Sequence, residues 1–418
     1  MMMETFEISN VVSKRQSCSE KSLPNIPVIK IYNYDSAFPE IPSGRIAIFV
    51  GSHKRMTANE TLLIDKFCEV YDAIVLCDHT SNYYGNYRID YSLIGTQQHD
   101  FDLLSVSLLI HIGNISGDYV TPKCIHAKNI WRVCEDGILR KTFGHIEALF
   151  DMSEKFFFSF YNNSVLPQSI NSYYSLCEKV YDELYKKIPD LPFSNIWIAK
   201  ELASSMPHNS TLHFAILNSL RSWNFFKIDN SISTMCNVGG FGIDGCMSSL
   251  IGASLANVDK LYFLVTGDLA FFYDMNILGN RHIGPNVRII LINTGNGAEF
   301  LHSQSPEYEV GVKPFIAAEG HFGNRSEKLV KNLAISLGFE YYAVNDKNSF
   351  FAIKETIINE KIGEKPMLFE IITEAEQQSK AWALLSNIAQ RNMSEMTAIF
   401  SSKIKNNSII RSIKSVLS

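Results

Sequence analysis

Three short stretches carry residue types that could do chemistry together: Asn237-Val-Gly-Gly-Phe-Gly-Ile-Asp-Gly245, Leu261-Tyr-Phe-Leu-Val-Thr-Gly-Asp268 and Ile289-Ile-Leu-Ile-Asn-Thr-Gly-Asn-Gly297. Each belongs to a β-rich run cut off by a glycine-containing turn, and helix-compatible sequence follows the first two. A parallel sheet places backbone N–H groups and side chains at its carboxyl edge in this way. Gly240-Phe-Gly-Ile-Asp-Gly245 matches G-x-G-x-x-G, with Asp268 about 20 residues on. That is the outline of a dinucleotide fingerprint, with a pyrophosphate on a helix N-terminus and an acid on the ribose. Glycines that merely allow tight helix-to-strand packing would read the same. The two later turns favour something else. Asp268 sits inside Gly267-Asp268-Leu269, opens a further helix, and is followed about 25 residues later by Asn293-Thr-Gly-Asn-Gly297. A carboxylate on one turn and an oxygen-rich turn on the next suit Mg²⁺, which takes hard oxygen ligands and fills other positions from bound phosphates.

The elements that must position these turns form an alternating pattern. Residues 1–43 have little periodicity and are punctuated by Pro24, Pro27, Pro39 and Pro42, as in an extended arm or linker. Strands are expected at Arg45–Val50, Ala73–Cys77, Leu108–Ile112 and Asn129–Val133, with a helix over Asn59–Tyr71. This predicts a Rossmann-like domain over 44–165, closed by the run Phe156–Tyr161. Helical sequence over 166–204 leads to a second domain, 205–375, with strands at Leu212–Ile216, Ser231–Cys236, Leu261–Thr266, Val287–Asn293, Glu340–Val344 and Pro366–Ile372. A helical tail is expected over 376–418. The fold class is α/β: two parallel-sheet, helix-flanked domains.

Composition narrows the classes. The chain has 418 residues and a net charge of -5, with no basic surplus to neutralise phosphates, which argues against a nucleic-acid partner. Eight cysteines include no C-x-x-C pair, so they are expected as reduced, mostly buried thiols in a cytosolic protein. No apolar run approaches the length of about 18 residues that would suggest a membrane span, and residues 1–22 lack a signal-peptide core, so a soluble cytoplasmic protein is expected.

In combination, G-I-D-G at Gly242–Gly245, G-D-L at Gly267–Leu269, Tyr273-Asp-Met-Asn276 and the glycine-rich turn Asn293–Gly297 resemble the thiamine diphosphate (ThDP) enzymes, and within them the menaquinone-pathway synthase family MenD. The resemblance is strong over about 205–375 and looser over 45–160, matching the family's pyrophosphate-binding and middle domains. It implies ThDP and Mg²⁺ as cofactors and a 2-oxo acid as substrate for a decarboxylase or carboligase. It implies Asp268, Thr294 and the Asn296 carbonyl as metal ligands, and Ile243 as the apolar residue that bends the cofactor. Gly242, Asp244, Gly245, Gly267, Leu269 and Gly297 would line the cofactor, Leu269 through its N–H. Ile243 would read equally well as a core residue at a helix start.

Three departures stand out. Thr294 replaces the family's second Asn, and its hydroxyl is shorter and a weaker ligand than an amide oxygen, so a shifted loop, water, Asn293 or Asn296 would have to compensate. Val238 replaces an Arg that helps hold the family's substrate. The family's activating Glu lies in an N-terminal pyrimidine-binding domain of a neighbouring subunit, which residues 1–43 are too short to be. Ile26–Tyr32 resembles the tail leading out of that domain. A separate pyrimidine-domain chain is therefore expected as partner, within a homo-oligomer. Glu299, Arg281, His282, His302 and His321 are further candidates for proton transfer or carboxylate binding, and Gly51-Ser-His-Lys54 for an anion-binding turn, although each also reads as ordinary loop. Two other functions stay open: a catalytically silent ThDP-fold binding or assembly subunit, and an NAD(P)- or FAD-binding protein.

Overall fold

The computed structural model describes residues 29–97, 102–118, 121–163, 172–295, 326 and 328–389. Within them the apolar runs become two all-parallel sheets flanked by helices, the expected α/β architecture. The first sheet contains β1 (Lys30–Tyr32), β2 (Ile46–Val50), β3 (Ala73–Cys77), β4 (Arg88–Asp90), β5 (Ser105–Ile112), β6 (His126–Cys134) and β7 (Ala148–Asp151), in the order β1-β7-β6-β5-β2-β3-β4. The second contains β8 (Thr211–Phe214), β9 (Ser233–Cys236), β10 (Tyr262–Gly267), β11 (Val287–Asn293), β12 (Glu340–Val344) and β13 (Met367–Ile372), in the order β12-β13-β11-β10-β8-β9.

The central strands are continuous apolar runs because helices cover both faces: every residue of Ile46–Val50 and Ala73–Cys77 is buried. Local signals set where the helices begin. Thr57 and Glu60 form a capping box at the start of helix Ala58–Tyr71, and Asp346 with Ser349 does the same for Lys347–Ile357. The run Phe156–Tyr161 lies in helix Glu154–Asn162, capped by Ser153, and buries Phe157, Phe158 and Tyr161 against Phe67, Trp131 and Phe150. The arm reading of residues 1–43 needs one correction. Lys30–Tyr32 pairs in parallel with Ala148–Phe150, and Tyr32 stacks on Phe150 at 5.0 Å, so this piece is an integral strand of the sheet.

The two sheets share a core. One apolar cluster runs from Ala47, Phe49 and Leu109 through Tyr173, Cys177 and Leu184 of helix Ser172–Lys186 to Leu212, Phe214 and Phe369. Polar bonds cross as well. The loop after β3 donates the His79 N–H to Asn224 Oδ1, and Thr234 Oγ1 donates to the His79 carbonyl. Beside it, the loop after β5 carries Asp118, which is fully buried and pairs with the equally buried Arg221 at 3.6 Å. Asp118 also accepts from the Thr121 N–H and hydroxyl, while Ser116 Oγ donates to Asp78. In the second sheet the buried Arg288 guanidinium donates to the carbonyls of Ile357, Asn359 and Lys361, satisfying the end of helix Lys347–Ile357.

Among the described residues no helix is long and apolar enough to cross a membrane. The seven described cysteines are free, and burial pushes the Cys77 and Cys124 thiols up to about 12.

Candidate functional site

The strand order explains how the three turns meet. The chain lays β9 on one side of β8 and then crosses to build β10, β11 and β13 on the other, so β8 and β10 flank the point where the order reverses. In open parallel sheets the crevice outside the carboxyl ends at such a point is where ligands bind. The turn from Asn237 leaves β9, Asp268 follows β10, and Thr294 follows β11, all at this edge.

Asp268 and Thr294 come together directly. The Asp268 side chain, 2% exposed, accepts from Thr294 N and Oγ1, both at 3.0 Å, on Oδ2, and from its own neighbour's Leu269 N–H at 2.7 Å on Oδ1. The Leu269 N–H that the resemblance aims at a diphosphate therefore serves the carboxylate here. Ile243 is half-buried and packs against the small cluster of Ala215, Cys246 and Ala270, which draws on residues that follow β8 and β10 as well as its own turn. The described geometry thus gives Ile243 its packing role. Asp244 is exposed, with one carboxylate oxygen folded over Gly242, while Gly239, Gly240 and Gly267 face open space. Gly245, at φ +75°, turns the chain into helix Cys246–Ser254. Asn296, Gly297 and Glu299, together with His302 and His321, lie outside the described residues.

Several residues hold this edge that sequence reasoning did not single out. Asp274, inside the Tyr273–Asn276 motif, accepts from Ser248 N at 2.7 Å and Ser248 Oγ at 2.6 Å, tying the helix after Gly245 to the helix after Asp268. Its signal was present, since an acid able to cap a first-turn N–H lay in a quoted motif. Asn237 closes its own turn by donating to the Gly245 carbonyl and Ser249 Oγ. His213 on β8 meets Asn237, and burial pulls its pKa down to about 4, leaving a neutral imidazole near neutral pH. Burial pushes the Cys246 thiol up to about 11, so its place at a helix start does not make it a nucleophile.

One expectation is corrected. Arg281 and His282 precede β11 in a turn whose following residue Asn286 bonds the carbonyls of Asn257 and Lys260. They therefore stand at the amino edge of the sheet, opposite Asp268, because a parallel strand separates its entering and leaving residues by its full length. Asn293, offered as a substitute metal ligand, has its amide oxygen bonded to the Gly295 N–H and its amide nitrogen to Glu370. The turn Gly51–Lys54 has acidic partners, His53 at 3.2 Å from Glu154 and Lys54 at 3.3 Å from Glu60. Among the described residues no three His, Cys, Asp or Glu side chains gather to hold a metal.

The fold and this edge define a two-sheet parallel α/β protein with a glycine turn and a buried carboxylate at the switch point of its second sheet. No family model matches the chain. Among curated proteins the chain is MenD-like. It is 29% identical over 250 residues to the 2-succinyl-5-enolpyruvyl-6-hydroxy-3-cyclohexene-1-carboxylate synthase of Phocaeicola vulgatus, covering 60% of this chain and 43% of that one. It is 27% identical over 354 residues to the synthase of the same name from Flavobacterium johnsoniae, covering 79% and 60%. With that of Christiangramia forsetii it shares 32% over 184 residues, covering 44% and 30%. The chain spans less than half the length of the first curated relatives it matches. The family resemblance read from the motifs is borne out.

Proposed function

We propose that this chain supplies the diphosphate- and Mg²⁺-binding part of a ThDP-dependent, MenD-like active site acting on a 2-oxo acid, as a decarboxylase or carboligase. The observation that carries this reading is the Asp268–Thr294 pair on adjacent strand ends beside the glycine turn. ThDP, when bound, supplies the carbanion chemistry at the substrate carbonyl. Asp268 and Thr294 would hold the cation, with the Asn296 carbonyl as a third ligand. Ile243 would lie against the cofactor, and the open glycines would admit the diphosphate. The residues fit. A carboxylate offers about four lone-pair positions, and Asp268 has three filled, two of them by Thr294. The Thr294 hydroxyl oxygen and Asp268 Oδ2 already lie 3.0 Å apart, a separation at which one cation could take both.

The dinucleotide reading finds less support. A ribose-binding acid belongs at the tip of the strand beside the glycine turn, whereas β8 separates β9 from β10 and Asp268 is bonded to Thr294. A silent binding or assembly subunit is the second reading, favoured by Thr294 where the family has Asn. On the resemblance, the activating Glu would come from a pyrimidine-binding domain of a neighbouring subunit, and a homo-oligomer is proposed on the same ground.

Titration calorimetry with ThDP, with and without Mg²⁺, tests the site. Saturable binding that requires the metal is expected, and its absence would discard the proposal. Mixing the chain with a candidate pyrimidine-domain partner and pyruvate or 2-oxoglutarate separates the active reading, which releases CO₂, from the silent one. A related prediction concerns the threonine. Thr294→Asn extends the oxygen by one atom toward the cation and is expected to tighten Mg²⁺ by at least roughly 10-fold, the lower end of the range that outer-shell changes alone produce. Half-saturation in a Mg²⁺ titration at fixed ThDP reads this out, and unchanged affinity would mean that Thr294 is not a ligand.

A further inference from the structure

A buried carboxylate that no motif points to is bonded to the turn that carries Thr294. Glu370 on β13 is 4% exposed. Its Oε1 accepts from Asn293 Nδ2 at 2.7 Å, and its Oε2 accepts from Tyr341 Oη at 2.6 Å. Asn293, at the end of β11 and 7% exposed, uses its Oδ1 to accept the Gly295 N–H at 3.1 Å, and its carbonyl accepts from Thr373 N at 2.9 Å. Gly295 has φ +71°, a left-handed turn conformation, and Thr294 before it reaches Asp268 through both N–H and hydroxyl.

The chemistry of the donors gives this chain of bonds a direction. Both Glu370 oxygens accept, so the Asn293 NH₂ faces Glu370 and the amide oxygen faces the Gly295 N–H. Flipping the amide would set its NH₂ against the Gly295 N–H and its oxygen against the carboxylate, losing two bonds in a buried place. Burial, then the Glu370 carboxylate beside it, raises the Tyr341 phenol, so it remains a donor at working pH.

We infer that Glu370 is a positioning residue for the cation site: through Asn293 it fixes the turn that presents Thr294 to Asp268. The inference deepens the proposed function and rests on it for the identity of the bound ion. Outer-shell partners of this kind typically carry about 10- to 100-fold of metal affinity.

The test uses the full chain and three variants, Asn293→Asp, Glu370→Gln and the double variant. Asn293→Asp sets two carboxylates against each other across the bond and is expected to weaken Mg²⁺-dependent ThDP binding at least about 10-fold by calorimetry. Glu370→Gln keeps an oxygen for Asn293 and lets its NH₂ donate to the Tyr341 oxygen, so affinity within about threefold of wild type is expected. The double variant restores a donor–acceptor pair of reversed polarity and is expected to return to the same range. A folded Asn293→Asp that binds like wild type, or a double variant no better than the single, overturns the inference. A purely structural role would move the melting temperature of these variants without this pattern in affinity. Hydrogen exchange in the cofactor-free wild type supplies the independent reading. The Gly295 amide should be protected, and exchange at the rate of an unbonded loop amide overturns the inference even if Asn293→Asp does not fold. Protection at Gly295 in a wild type that binds no ThDP would instead leave the bond chain intact and remove the proposed cofactor.

Discussion

Asp268→Ala is expected to abolish Mg²⁺-dependent ThDP binding, weakening it by more than the roughly 100-fold upper range for outer-shell changes at a metal site. The side chain is buried and is the carboxylate shared by two strand ends, so removing it deletes an anionic ligand and the acceptor for three donors. Those donors belong to Leu269 and Thr294, and leaving them unpaired in a buried place also costs about 1–3 kcal/mol of stability. Asp268→Asn separates the two effects. It keeps the volume and one acceptor oxygen but loses the charge, so binding should fall nearly as far while the melting temperature falls less. Calorimetry well below the melting transition, paired with thermal denaturation, gives both numbers, and undiminished binding in either variant would remove Asp268 from the site.

The second large effect is expected at the boundary between the sheets. Arg221→Met should destabilise the chain by about 3–5 kcal/mol, the usual cost of stranding one member of a buried ion pair. Asp118 would lose the guanidinium at a place with no solvent access, with the Thr121 N–H and hydroxyl still beside it. Adding Asp118→Asn removes the stranded charge and should recover a large part of the loss. Urea denaturation followed by far-ultraviolet circular dichroism and by tryptophan fluorescence measures this. Because Arg221 follows β8 and Asp118 follows β5, both probes should shift together. A shift below about 1 kcal/mol would place this pair among the near-neutral ones.

Much of the architecture was legible because local patterns coincide with global burial. Ile46–Val50 and Ala73–Cys77 read as strands since both faces are covered, and the glycine turns and Asp268 read as an edge site since their spacing along the chain is the spacing of strand ends. Lys30–Tyr32, Arg88–Asp90 and Ala148–Asp151 did not read as strands. They are too short for a period to show, and each exists through pairing with a distant segment. The supports of the site were hidden for the same reason. Glu370 meets Asn293 across 77 positions and Asp274 meets Ser248 across 26, contacts that only the folded sheet creates. Arg281 and His282 failed in the opposite way, since nearness along the chain to a strand's end says nothing about which end.

Among the described residues the first sheet ends at both margins in a strand of three residues, Lys30–Tyr32 beside β7 and Arg88–Asp90 beside β3. Each covers the open backbone of a longer neighbour and is itself short; Lys30 is exposed at one margin, while at the other Arg88 is held by Asp90 and by the Tyr83 and Asp78 carbonyls. Among the described strands, neither margin of this sheet thus offers a long open edge for another strand to extend.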